Sequence, residues 1–348
     1  MLYYLKQNLF HHHFINLAFL KAVQKYSKLD NSVIPYLISE KENVIKKDGL
    51  LEYYHPEDGL NGIGGLNNLK EWLKVRGNAF SQKAIEYGID TPKGVMLLGL
   101  PGCGKSLTAK CIARAWNYPL LRFDLGKVFG GVVGQSEANM RKALDVATTI
   151  APCVLWIDEI EKGLSGLGSS DRTDGGTASR VFGSLLTWMQ EKKEPVFVVA
   201  TANRLELPPE LFRRGRFDEV FYVDFPTKTE AEQILRLHLR KRCRQEERGS
   251  IDKLNLSSSL AKMFAGGSDL VYSGADVMSV ASIALEKRFL SIDDAESQNP
   301  RPKLSIEDAV KAIIDGETVK PIGKTMKDEI KGIREKFRKM GLQSASKK

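Results

Sequence analysis

Cysteine is scarce in this 348-residue chain, and its spacing builds nothing obvious. Cys103, Cys111, Cys153 and Cys243 include no C-x-x-C pair, which argues against a thiolate zinc site and a disulfide framework. Three of them fall in expected core elements, as reduced thiols of a reducing compartment would. Long apolar runs are missing too. Phe14–Val23 is about half of the ~20 residues that a membrane span needs, and Lys21 interrupts it. The opening MLYYLKQNLFHHHF lacks a small-residue cleavage site, so the chain reads as neither secreted nor membrane-spanning. Histidine numbers five, three of them adjacent at His11, His12 and His13 with no further ligand nearby, a weak metal signal.

A uniformly basic surface is also lacking, although the net charge is +9. Residues 320–348 hold ten Lys/Arg against three Asp/Glu, and residues 236–248 hold six against two. These two stretches carry +11, so the rest stands at −2. The charge therefore marks two local surfaces and not a nucleic-acid-coated core.

The 42% hydrophobic content suffices for a buried core. Residues 1–50 read as a helical segment, with Leu20, Val23, Tyr26, Val33, Leu37 and Ile38 at helical spacing until Gly49. A linker, EYYHPEDGLNGIGG, leads to a helix near Leu69–Ala79. Over 51–226, apolar strands at Val95–Leu98, Leu120–Leu125, Val154–Ile157, Val196–Ala200 and Val220–Phe225 alternate with helices. That pattern predicts an α/β fold with a parallel sheet covered on both faces. Residues 227–315 predict a helical subdomain: Thr229–Arg242, Leu256–Phe264, Ala275–Leu290 and Ile306–Ile314, with an exposed loop over Asp293–Pro302. A basic tail, 316–348, ends in a helix from Thr325, whose hydroxyl could cap it. Met326, Ile330, Ile333, Phe337 and Met340 form its stripe. That stripe suits packing against a neighbouring subunit.

GLPGCGKS follows a strand and opens a helix, the context of a phosphate-binding loop. Gly99, Leu100, Pro101, Gly102, Cys103, Gly104, Lys105, Ser106 and the adjoining Leu107 are thus candidate nucleotide-binding residues. Glycines let backbone N–H groups curl around phosphate oxygens, and the helix N-terminus adds partial positive charge. Lys105 should reach the β- and γ-phosphates and Ser106 should ligate Mg²⁺. Cys103 stands where a small hydroxyl residue is commoner; the plain reading is a small residue that fits, and the alternative is an oxidisable thiol whose pKa the helix N-terminus lowers. CVLWIDEI is a buried strand ending in two acids, about fifty residues after the loop. Asp158 suits Mg²⁺ and Glu159 suits a general base for the attacking water. Asn203, just past the next strand, is placed to hold that water through a neutral amide. Arg213 and Arg216 could neutralise charge developing on the γ-phosphate; ordinary surface ion pairs are the alternative.

In these motifs the chain resembles the AAA ATPases from about Ile63 to Leu290. The resemblance implies a P-loop NTPase sheet of order 5-1-4-3-2, a C-terminal helical lid, and ATP and Mg²⁺ as cofactors. It also implies a homo-oligomer, usually a hexamer. Ile63 and Gly64 match a segment bracketing the adenine, and His238 matches a lid histidine near the nucleotide. Gly274 and Ala275, in YSGADV, match a lid motif facing the phosphates, and Arg213 and Arg216 would serve the neighbouring subunit's ATP. Over residues 39–335 the likeness narrows to one branch, the hypothetical chloroplast reading frame forty-six group of cyanobacteria and algal plastids. GKVFGGVVGQSEANMR, APCVLWIDEIEKG and ELFRRGRFDEVFYVDFP carry it. Its members hold a longer domain ahead of the module, of which residues 1–50 read as the last helices. The implied setting is a bacterial cytoplasm or plastid stroma. Val132 stands where many AAA unfoldases place the aromatic that grips a translocating chain. The expected function is ATP hydrolysis between ring subunits that remodels a macromolecule, most simply a protein client. The alternatives are an ATP-driven nucleic-acid motor and a slow, nucleotide-dependent scaffold.

Overall fold

A computed structural model describes residues 49–129, 135–164, 174–205, 207–265, 272–295 and 303–347, with scattered positions between 21 and 45. The triple histidine, most of the expected 20–47 helices, the Val132 loop and most of the loop expected over Asp293–Pro302 lie outside the described residues.

Strands β1 (Leu51–Tyr54), β2 (Gly94–Gly99), β3 (Leu120–Phe123), β4 (Cys153–Ile157), β5 (Val196–Ala202), β6 (Glu219–Val223) and β7 (Gln343–Ser344) form one sheet. Its order is β1-β3-β4-β5-β2-β6-β7. β2, β4 and β5 are buried along their whole length, which is why they read as unbroken apolar runs and not as alternating ones. β3 pairs parallel with β4, β4 with β5, and β5 with β2. The five expected strands therefore lie in the order 5-1-4-3-2, and two unexpected edge strands extend them. β1 runs antiparallel to β3 with Leu51 opposite Phe123, in a stretch read from sequence as linker. Two strands are shorter than expected. β3 stops at Phe123 and β6 at Val223, since Asp124 and Asp224 turn their carboxylates onto the N–H groups of Gly126 and Phe225.

The chain divides into two compact units. One comprises residues 1–60, 71–98 and 108–221; the other comprises 61–70, 99–107 and 222–348. The first holds most of the sheet with α1 (Asn67–Asn78) from Glu71 on, α2 (Gln82–Glu86), α3 (Lys105–Trp116) from Thr108 on, α4 (Leu125–Phe129), α5 (Gln135–Ile150) and α6 (Asp174–Glu191). The second holds α7 (Lys228–Arg242), α8 (Ser257–Met263), α9 (Gly274–Ala295) and α10 (Ile306–Asp315) around a core that includes Leu235, Leu260, Val277 and Val310. Thr227 and Glu230 close a reciprocal capping box on α7, so the helix starts one residue earlier than its apolar spacing suggested.

The tail belongs to the second unit and packs on it. After a short turn, α11 (Ile322–Thr325), helix α12 spans Lys327–Met340. Its cap position is Met326, which offers no side-chain bond, so the expected start at Thr325 is displaced. Ile330 and Phe337 are buried, and Phe337 lies 3.9 Å from the Tyr222 ring centroid to centroid. Arg334 pairs with Asp224 at 2.9 Å. Gly341 turns the chain in the left-handed region, and Ala345 N–H then donates to the Tyr222 carbonyl at 2.9 Å. The sequence placed this stripe against a neighbouring subunit; Ile330 and Phe337 are instead covered by their own chain. Met340, at 41% exposed, is not.

Candidate functional site

In the second unit, the phosphate loop is shaped by close backbone approach. A Cβ on Gly99, which has φ of 153°, would stand 2.0 Å from the Val223 carbonyl oxygen, so only glycine fits. The Lys105 ammonium is folded onto the loop, donating to the carbonyls of Gly99 at 2.9 Å and Leu100 at 2.6 Å. The first turn of an α-helix leaves its N–H groups without intrahelical acceptors, and α3 begins at Lys105, followed by Ser106 and Leu107. A cation chain, a hydroxyl and a helix N-terminus thus follow Pro101, Gly102 and Gly104 in one turn. Ala275 N–H donates to the Gly102 carbonyl at 3.0 Å, and a Cβ on Gly274 would meet that oxygen at 3.1 Å. Both lid residues singled out in the sequence therefore touch the loop.

Cys103 follows the plain reading of a small residue that fits, and not the lowered-pKa alternative. Its thiol is buried and donates to the Pro101 carbonyl at 3.6 Å. Burial, reinforced by the carboxylates of Asp224 and Asp276 and opposed by Lys105, pushes its pKa up to about 12 and not down. With the pKa raised from about 9 to about 12, the thiolate fraction at pH 8 falls about a thousandfold. Alkylation of the native protein at pH 8 should accordingly spare Cys103 while the urea-unfolded chain reacts there, as peptide mass spectrometry reads. Comparable labelling in both states would contradict the buried, neutral thiol.

The segment around Ile63 and Gly64 meets α7 within the same unit. A Cβ on Gly64 would lie 2.5 Å from the Ile234 side chain and 2.8 Å from its backbone nitrogen. Gly65 N–H donates to Gln233 Oε1 at 2.9 Å and Leu66 N–H to Glu230 Oε1 at 3.0 Å. Lys70 Nζ donates to the Ile63 carbonyl at 2.5 Å. Sequence reasoning missed Glu230 and Gln233; the T-x-x-E capping spacing, Thr227 to Glu230, was the available signal for the first. His238, on α7, accepts at Nδ1 from Arg242 at 2.8 Å.

In the first unit, the two acids and the asparagine come together at the carboxyl ends of β4 and β5. Glu159 takes a left-handed backbone, φ 50°. Asn203 Nδ2 donates to Glu159 Oε1 at 2.9 Å, and Lys162 forms an ion pair with Glu159 Oε2. That carboxylate raises the pKa of Lys162 by hydrogen bond and charge. Thr201 Oγ1 donates to Asp158 Oδ1 at 2.8 Å and accepts from Glu159 N–H at 3.0 Å. Asn203 N–H donates to Glu161 Oε1 at 2.9 Å. Thr201, Glu161 and Lys162 were absent from the sequence reading.

Arg213 and Arg216 are not joined to this cluster. Arg213 is 69% exposed along its side chain and lies 3.6 Å from Glu210 Oε1. Arg216 Nη1 donates to the Glu210 carbonyl. Among the described residues no group of three or more His, Cys, Asp or Glu could hold a metal, and no helix is long and apolar enough to cross a membrane.

Residues 95–225 match the family described as "ATPase family associated with various cellular activities (AAA)". The "Uncharacterized AAA domain-containing protein ycf46" of Pyropia yezoensis is 48% identical over 248 residues, 71% of this chain and 49% of that protein. The protein of the same name from Guillardia theta is 50% identical over 222 residues, 64% of this chain and 44% of its own length. The chain spans about half the length of the curated relatives it matches. The branch likeness expected from the motifs is thereby found. The matched stretch runs from the second residue of β2 through β6 and takes in the acid pair at the end of β4, and over it the chain carries an AAA domain.

Proposed function

We propose that this chain hydrolyses ATP, with Mg²⁺, at sites completed by neighbouring copies in a ring, and that turnover remodels a protein client. The observation that carries this reading is the bonded set of Asp158, Glu159, Thr201 and Asn203 at adjacent strand ends. Two carboxylates held one residue apart, with different partners, suit two tasks.

Lys105 and the first N–H groups of α3 bind the phosphates. The Ser106 hydroxyl and the Asp158 carboxylate would hold Mg²⁺; they are hard oxygen donors, and too few to bind a metal without phosphate and water oxygens, as suits that ion. When bound, the ion supplies positive charge that offsets charge building on the phosphates. Glu159 takes the proton of the attacking water, and Asn203 sets the direction of its carboxylate. Gly64 and Ile63 line the base, and His238 borders the nucleotide on the lid side. Arg213 and Arg216, which among the described residues bond only to Glu210 of their own turn, reach a neighbour's γ-phosphate. Hexameric assembly and action in a bacterial cytoplasm or plastid stroma complete the proposal.

The test is phosphate release from ATP by the purified chain, with magnesium and with excess EDTA, over a range of protein concentrations. Turnover that needs magnesium and rises per subunit with concentration supports the reading. Turnover indifferent to both would defeat it.

A further inference from the structure

Strand β5 reads VFVVATA and is buried throughout, with Thr201 only 1% exposed. A hydroxyl there is costly unless it is bonded, and valine would fill the same space in a strand without that cost. Both of its bonds go to the two acidic residues. An N–H can only donate, so Thr201 Oγ1 accepts from Glu159 N–H at 3.0 Å. Its single hydrogen therefore goes to Asp158 Oδ1, 2.8 Å away. One hydroxyl thus ties a side chain and the next residue's backbone.

The backbone explains why such a tie is needed. Successive residues of an extended strand point to opposite faces. Just past the Ile157–Ala200 pair, Glu159 departs from extension into the left-handed region, which is uncommon and costly for a residue with a Cβ. With that turn, Asp158 is directed to Thr201 while Glu159 is directed to Asn203, two residues further along the same neighbouring segment. The turn persists only where its surroundings hold it, and the Glu159 N–H bond to Thr201 is one hold on its backbone, beside the Lys162 N–H bond to the Glu159 carbonyl at 2.8 Å.

We infer that the Thr201 hydroxyl is a positioning group that sets Asp158 and Glu159 in their separate directions, and with them magnesium affinity and base geometry. The inference rests on the ATPase reading. Thr201→Val and Thr201→Ala remove the hydroxyl, with and without the second branch, and Thr201→Ser keeps it. Turnover should fall about ten- to a hundredfold in the first two, the range of one lost hydrogen bond to a charged group. Binding of a fluorescent ATP analogue should need more magnesium in Thr201→Val and Thr201→Ala, and should be unchanged in EDTA, where only the phosphate loop acts. Thr201→Ser should return both properties to near the unsubstituted chain. Wild-type turnover and magnesium dependence in the folded Thr201→Val protein, or a Thr201→Ser protein as impaired as Thr201→Ala, would overturn the inference. An unsubstituted chain that hydrolyses nothing would count against the ATPase reading alone, because the magnesium dependence of binding still decides the role of Thr201.

Discussion

Glu159→Gln should bind ATP as the unsubstituted chain does and turn over about 10²–10⁴-fold more slowly, the usual contribution of a general base. Glutamine keeps the shape of the side chain and can still meet Asn203, whose amide lies 2.9 Å from Glu159 Oε1. It cannot accept the proton of water, so the loss falls on the transition state and spares the ground state. The ion pair with Lys162 disappears as well, but that residue lies on the surface and the pair is worth little there. Lys105→Ala should behave in the opposite sense. Its ammonium is buried on the loop carbonyls, and on the proposed role in ground-state phosphate contact its removal should weaken nucleotide binding by about ten- to a hundredfold or more. Equilibrium binding and steady-state phosphate release on both variants separate the two roles. A Glu159→Gln protein with undiminished turnover removes the base from Glu159. Because blocked hydrolysis holds the ATP state, the same variant is also the form in which to look for a bound protein client.

Arg216→Ala subunits mixed with Lys105→Ala subunits should recover part of the activity that each lacks alone. Arginines acting on a phosphoryl group in trans are credited with about 10³–10⁵ in rate, so the separate proteins should be nearly inactive. The geometry that motivates this is local. Arg213 is largely exposed, Arg216 is bonded to the backbone of its own turn, and neither is joined to Asp158, Glu159 or Asn203. In a mixed assembly, an intact phosphate loop on an Arg216→Ala subunit can face an intact arginine pair on a Lys105→Ala subunit. Recovery should track the fraction of such junctions as the mixing ratio is varied. A mixture shown by light scattering to co-assemble, yet inactive at every ratio, would exclude the shared site.

Much of the site was legible before any fold was known, for physical reasons that differ by residue. GLPGCGKS and the acid pair of CVLWIDEI are contiguous, and their chemistry depends on neighbours within a few positions. Thr201 and Gln233 were not legible, and the capping spacing of Thr227 and Glu230 marks a helix start but not the reach of Glu230 to Leu66. The partners of Thr201, Glu230 and Gln233 lie 43, 164 and 168 residues away in the chain, and no local spacing announces such a bond. β1 escaped notice because LEYY has neither an unbroken apolar run nor clean alternation; its strand character comes from pairing with β3. The tail stripe was visible at helical spacing, but spacing says only that a face is apolar, not which surface covers it.

Sequence alone identified the five central strands and the helices between them, the GLPGCGKS loop that opens a helix, and Asp158, Glu159 and Asn203 as candidates at strand ends. Fully buried strands and amphipathic helices write their environment into consecutive residues, so these elements need no partner to be recognised. Only the tertiary structure decided what those residues experience. Burial beside Asp224 and Asp276 raises the Cys103 pKa that a helix N-terminus would have lowered. A threonine hydroxyl from the neighbouring strand bonds both the Asp158 carboxylate and the Glu159 N–H. Tyr222 and Asp224 draw the basic tail onto its own unit. In each case the deciding term is desolvation, charge or a hydrogen bond between groups far apart in the chain, and such terms exist only once folding has brought the groups together.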